Sequence, residues 1–189
     1  NVSRFYIRDS NLSPDYVESV KLFDELYQKS SHKVDYDGII SVDTHVLVDF
    51  LEVLGDKEVR GLTFSSKIDK RCDCPQAIYA LLDEIDRPVG YLKEDRKGIL
   101  GDLLLVLMQT ALGSSPSQYW GKIFQDQIEN LEEKHILLYM TDKNVQKSIE
   151  SIQYGGRIRQ VEGDYMHISD VNFAGAKSNM FVKHEVESK

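Results

Sequence analysis
The stretch Val34–Val59, VDYDGIISVDTHVLVDFLEVLGDKEV, constrains the fold more than any other part of the chain. Asp37–Val42 reads as a strand, because Ile39, Ile40 and Val42 form a short β-branched run bounded by polar turn residues. Asp43 or Thr44 then caps a helix whose apolar positions Val46, Leu47, Phe50, Leu51 and Leu54 recur at three- and four-residue steps. Gly55 stops that helix, and Lys57–Val59 begins the next extended segment. A strand feeding straight into a helix places Asp43 at the strand's carboxyl end, where ligands bind in open α/β sheets.

The flanking segments extend the pattern. Val2–Arg8 alternates like a strand and ends in the polar turn Arg8-Asp9-Ser10-Asn11. Ser13 and Pro14 then start a helix that runs to about Lys29, with Val17, Val20, Phe23 and Tyr27 on its apolar face. This strand–helix–strand order predicts parallel pairing of Val2–Arg8 with Asp37–Val42. Further along, GLTFSS at Gly61–Ser66 reads as a short strand, and Pro75–Ile85, Asp95–Leu112 and Ser115–Glu133 read as helices. The leucine-rich Asp95–Leu112 is expected deep in the fold. Ile136–Met140 is an all-apolar strand, expected to be covered on both faces, and Thr141 caps a helix through Gln153. Arg157–Val161, Tyr165–Val171 and Met180–Glu187 are candidate strands. The expected fold is therefore α/β, a single domain over 1–189 with a central mixed β-sheet and helices on both faces.

Charge and composition narrow the function classes. A formal charge of −8 lacks the basic patch that a nucleic-acid surface needs, so no nucleic-acid partner is expected. No apolar run approaches the roughly 20 residues of a membrane span, and Ile99–Met108 is interrupted by Gly101 and Asp102. The chain begins at Asn1 without a methionine, which leaves room for a missing upstream anchor. The five histidines are scattered singly, so no metal site is expected, and no Walker loop or dinucleotide fingerprint occurs.

The candidate site sits on one rim of the expected sheet. Arg8 and Asp9 follow the first strand and Asp43 follows the second. Arginines that hold phosphate oxygens, together with a carboxylate that binds Mg²⁺ or acts as base, are the minimum for phosphoryl transfer. Arg71, in the basic stretch Lys67–Arg71, or Arg157 and Arg159 could add positive charge. Against this, Asp9 is equally a turn residue and Asp43 a helix cap. The loop holding Asn172, Gly175 and Lys177 reads either as a backbone cradle for a ligand or as a long hairpin with solvated side chains. Cys72 and Cys74 are two small loop residues, a local disulfide or a redox pair. In an oxidising compartment a bridge is expected, closing a very small ring that adds little global stability.

The residues Arg8-Asp9-Ser10-Asn11-Leu12-Ser13-Pro14-Asp15 and Val34-Asp35-x-Asp37-Gly38-Ile39-Ile40-x-Val42-Asp43 resemble a bacterial cell-surface family of unknown function, number four thousand and twelve. Lys134–Tyr139 and the loop Asn172-x-x-Gly175-x-Lys177-Ser178 agree with its carboxyl-terminal half. A more distant likeness is to the LytR-CpsA-Psr family, through Arg8-Asp9 and the unit from Asp37 to Val59. The first resemblance implies a membrane-anchored domain on the extracellular side of a bacterial membrane. Because no complete catalytic set emerges and the net charge is acidic, the expected function is non-catalytic binding of envelope glycan or a protein partner, with no cofactor. The second implies a LytR-CpsA-Psr-like fold and a phosphotransferase acting on polyprenyl-linked cell-wall polymers. Arg8, Asp9 and Asp43 would then be catalytic, polyprenyl phosphate would be a partner, and Mg²⁺ a possible cofactor.

Overall fold
The computed structural model describes residues 6–86, 98–159, 161–166, 168, 181–182 and 185–187. The chain is mixed α/β, with six α-helices and three small antiparallel strand pairs among the described residues. It divides into two compact units, one from Asn1–Asp43 with Gln127–Ser169 and one from Thr44–Asp126 with Asp170–Lys189.

The first unit is built on a two-stranded sheet. β1 (Gly38–Val42) pairs antiparallel with β6 (Ile136–Met140), in a register that sets Gly38 opposite Met140 and Val42 opposite Ile136. Asp37 O accepts from Thr141 N at one end, and Asp43 N donates to His135 O at the other. The expected parallel partner is not what β1 pairs with here. Residues Ile7–Asp9 form a 3₁₀ turn in place of a strand end, and residues 1–5 lie outside the described part. The reason is local: the Asp9 carboxylate accepts from Tyr6 N at 3.0 Å, and Asp9 N donates to Tyr6 O. A short acidic side chain that bonds its own backbone gives the chain an alternative to a ladder.

Helix α1 (Tyr16–Tyr27) is capped by Asp15, whose side chain accepts from Val17 N and Glu18 N. The cap thus lies two residues beyond Ser13, whose hydroxyl instead accepts from Asp15 N. Tyr16, Val17 and Val20 are buried, and Tyr16 Oη is 2.7 Å from Ser41 Oγ on β1. Gly156 closes this unit. Its carbonyl accepts from Tyr16 N, its φ is +59°, and a Cβ there would lie 2.7 Å from Tyr16 Cβ. Only glycine meets both demands. Helix α6 (Lys143–Ser151) is capped by Asp142, not Thr141, because the Thr141 hydroxyl donates to Asp37 O and finishes the β1 ladder. The candidate strand at Arg157–Val161 is not one: residues 157–159 and 161 carry no ladder.

The second unit holds the apolar core. Helix α2 (Thr44–Leu54) contributes Leu47, Leu51 and Leu54. β2 (Lys57–Val59) and β3 (Leu62–Phe64) form a hairpin whose turn residues Arg60 and Gly61 both have positive φ, as a two-residue hairpin turn demands. It delivers Val59 and the fully buried Phe64. β4 (Ile68–Asp69) pairs with β5 (Cys74–Pro75), and a disulfide joins Cys72, in the turn between them, to Cys74 at the start of β5. Helix α3 (Gln76–Asp86) adds Ala77 and Leu81, and α4 (Gly98–Gly113) adds Ile99, Leu103 and Leu107. The expectation that α4 sits deep is corrected here. Its buried stripe recurs at four-residue steps, while Leu100, Leu104, Met108 and Leu112 are exposed on another side. Leucine all round a helix says that it can be buried, not how much of it is. Helix α5 (Pro116–Glu132) brings Ile123 to the core. None of the described helices is long and apolar enough to cross a membrane.

Candidate functional site
The residues beside the carboxyl end of β1 form the most chemically suggestive group. Asp43 follows the last residue of β1, and His135 precedes the first of β6. Antiparallel register therefore sets them opposite each other, although they are 92 residues apart in sequence. Asp43 Oδ2 lies 2.7 Å from His135 Nδ1. With the proton on Nδ1 the imidazole donates to the carboxylate, and Nε2 is left 3.6 Å from Glu133 Oε2. Both side chains reach solvent, at 53% for Asp43 and 28% for His135. A carboxylate that fixes one nitrogen of an imidazole orients the ring for proton transfer. Sequence reading placed Asp43 but passed over His135 as an isolated histidine. The missing signal was the antiparallel pairing, which neither residue's neighbours encode.

The other nominated residues are held elsewhere. Asp9 is occupied by Tyr6 N, and Arg8 lies in the same 3₁₀ turn. Arg157 Nη1 contacts Asp15 Oδ1 at 3.2 Å and Glu18 Oε1 at 3.1 Å, so it clamps the start of α1. Lys21 first, and Arg157 second, hold the Glu18 carboxyl below its usual range. Arg159 donates from Nη2 to Glu150 O at the end of α6. In the second unit, Arg71 makes a fork with Asp69, Nη2 to Oδ2 at 2.5 Å and Nε to Oδ1 at 2.9 Å. Its guanidinium carbon sits 3.9 Å from the Tyr79 ring centre. That fork pulls the Asp69 carboxyl down to about 2. Asn172 and Lys177 lie outside the described residues.

A second polar cluster went unread in the sequence. Tyr36 Oη donates to Asp24 Oδ1 at 2.6 Å, and Gln28 Nε2 donates to the same oxygen at 2.9 Å. Burial first, and then Asp24, raise the Tyr36 phenol well above its ordinary value. Tyr27 stacks on Phe23 at 5.3 Å and tilts against Tyr36 at 6.1 Å. Tyr27 Oη also accepts from Val34 N, so the aromatics hold the loop that leads into β1. Their polar ends are spent inside the chain, which marks them as structural.

No curated protein and no solved structure matches the chain. Residues 2–69, which hold α1, β1, α2 and the β2–β3 hairpin, match the family model described as "Protein of unknown function (DUF4012)".

Proposed function
We propose that the chain is a non-catalytic module of the bacterial cell envelope, acting on the extracellular side of the membrane and binding envelope glycan or a protein partner. The observation that carries this reading is the state of its cations. Arg71, Arg157 and Arg159, the arginines expected to add positive charge beside Arg8, are each engaged by acceptors of the chain itself. Freeing any of them for a ligand means breaking a fork, a helix-end clamp or a carbonyl bond. The acidic balance of −8 points the same way, because it repels polyanionic donors. The experiment is co-sedimentation of the purified chain with isolated wall polymer, run beside a transfer assay with a polyprenyl-phosphate-linked donor and Mg²⁺. Saturable binding without turnover is expected. Thermal stabilisation by a polyprenyl phosphate mimic, with glycan and protein ligands inert, overturns the reading.

A second reading is a LytR-CpsA-Psr-like phosphotransferase, its helices and sheets layered as in that family. One observation favours it, the 2.7 Å pair of Asp43 and His135, which could serve as a carboxylate–imidazole base. Under this reading Asp43→Asn and His135→Gln each abolish polymer transfer while leaving the chain folded.

A further inference from the structure
The two edges of the β1–β6 sheet are treated differently. In an antiparallel pair, outward-pointing backbone groups alternate with those that face the partner strand. The end bonds Asp37–Thr141 and Asp43–His135 fix which groups those are. On β6 two of the three outward N–H groups are taken up: Leu138 N donates to Tyr154 O, and Met140 N donates to Gln146 Oε1. On β1 the outward groups belong to Gly38, Ile40 and Val42, and among the described residues no hydrogen bond reaches their N–H. The side chains there are apolar and open, with Ile40 64% and Val42 53% exposed. Natural sheets guard such an edge with lysine, proline, a bulge or a covering segment. GIISV carries none of these guards in its own sequence.

The geometry points to this edge of β1 as a docking strip for an extended peptide segment of a partner protein, apolar at alternate positions and basic at both ends. The partner adds a strand to β1, its main chain meeting the outward groups of Gly38, Ile40 and Val42. Its alternate apolar side chains cover Ile40 and Val42. Charge selects the flanks, because exposed Asp35 and Asp37 precede the strip and half-exposed Asp43 follows it. The same charges disfavour a second copy of this chain. A two-fold pairing centred on Ile40 would set Asp37 of one copy against Asp43 of the other, like charges face to face.

This inference rests on the reading of the chain as a binding module and names its partner class. The probes are the synthetic peptide Lys-Val-Thr-Val-Thr-Val-Lys and its counterpart with glutamate at both ends. The readout is hydrogen exchange at the Ile40 and Val42 amides, followed by NMR on the full chain. In the free protein these amides are expected to exchange freely, and the lysine-flanked peptide slows them saturably. The glutamate-flanked peptide binds at least about tenfold more weakly, a gap that narrows at high salt. Ile40→Lys, at an exposed position, should weaken binding by about tenfold or more with the fold intact. Ile40→Pro removes one outward donor and should act likewise, and if it fails to fold the lysine variant decides the matter. Amides already protected in the free monomer mean that the chain covers its own edge, and protection that grows with protein concentration means a second copy. Either result overturns the proposal, as does full binding by Ile40→Lys or no binding of the lysine-flanked peptide. Those failures leave the wall-polymer measurement untouched, so failure of this inference is distinguishable from failure of the binding-module reading.

Discussion
The two units are held together by different means. The second closes on an apolar cluster drawn from α2, the β2–β3 hairpin, α3, α4 and α5, with Phe64, Leu51, Ile99 and Leu103 fully buried. The first has a short sheet, few fully buried apolar side chains and a set of long-range polar ties. Those ties are Tyr16 to Ser41, Asp43 to His135, Thr141 to Asp37, and Arg157 to Asp15 and Glu18. Area removed from water is non-directional and tolerates approximate geometry, whereas hydrogen bonds stabilise only when both partners arrive. The second unit should therefore answer to volume, and the first to single atoms.

The largest effect that separates the two is at Phe64. Phe64→Ala should cost about 3–5 kcal/mol, since the transfer term and the cavity term add in a side chain with no exposure. Chemical denaturation followed by tryptophan fluorescence tests it, because Trp120 lies in the same unit. In the first unit the most damaging small change is Gly156→Ala. It forces a left-handed backbone onto alanine and drives its Cβ into Tyr16, at an expected cost of about 1–3 kcal/mol. A thermal midpoint unchanged by this variant would mean that the turn is not what anchors α1.

Much of the local structure was legible before any coordinates. Periodicity placed α2, α3 and α5 within a residue or two, because their apolar steps match one face of a helix. The extended segments Lys57–Val59 and Leu62–Phe64 were legible too, but the Arg60-Gly61 hairpin turn that joins them was not, because Gly61 reads as part of the second strand. What stayed hidden were facts about partners. A run such as GIISV says strand, and its period of two says nothing about which strand lies alongside. The register that joins it to ILLYM spans residues 92 to 104 apart, so the Asp43–His135 pair could not be seen from either end. Caps failed for a related reason. Ser13 and Asp15 are both good caps, as are Thr141 and Asp142; Ser13 Oγ is taken by Asp15 N and Thr141 Oγ1 by Asp37 O, which leaves the two aspartates to meet the helix N–H groups.

Asp15 offers a finer test of the polar unit. Its carboxylate caps α1, meets Arg157 and accepts from Ile158 N, so Asp15→Ala removes three interactions at once. A loss of about 1–2 kcal/mol is expected, dominated by the cap. Arg157→Gln should cost well under that, because an exposed ion pair contributes about 0–1 kcal/mol. Equal losses from the two variants would show that the ion pair, not the cap, fixes the helix start.

The smallest expected effect lies in the second unit and depends on pH. Asp69 is depressed from 3.8 to about 2 by Arg71. A carboxyl whose folded value is lowered contributes fully above its unfolded value and loses that contribution as the pH falls toward the folded one. The Asp69–Arg71 pair should thus be intact at neutral pH and weaken only between about pH 4 and 2. Carboxyl NMR should place the Asp69 midpoint near 2 in the native chain and raise it toward the ordinary range in Arg71→Ala, which keeps only the bond from the backbone N–H of residue 71. A midpoint that ignores the arginine would assign the depression to the turn backbone.

The register of β1 against β6 also dictates an order of events in synthesis. A ribosome releases the amino-terminal strand long before its partner, since the contacts that close the ladder join residues up to 104 apart. Throughout that interval GIISV is an unguarded apolar strand with both edges bare, while residues 44–126, the body of the other unit, are being made. The first unit is therefore completed late, and its nascent form is the species on which a holdase or a neighbouring nascent chain would act. Slower elongation through residues 44–126 would lengthen that exposure without altering a single native contact.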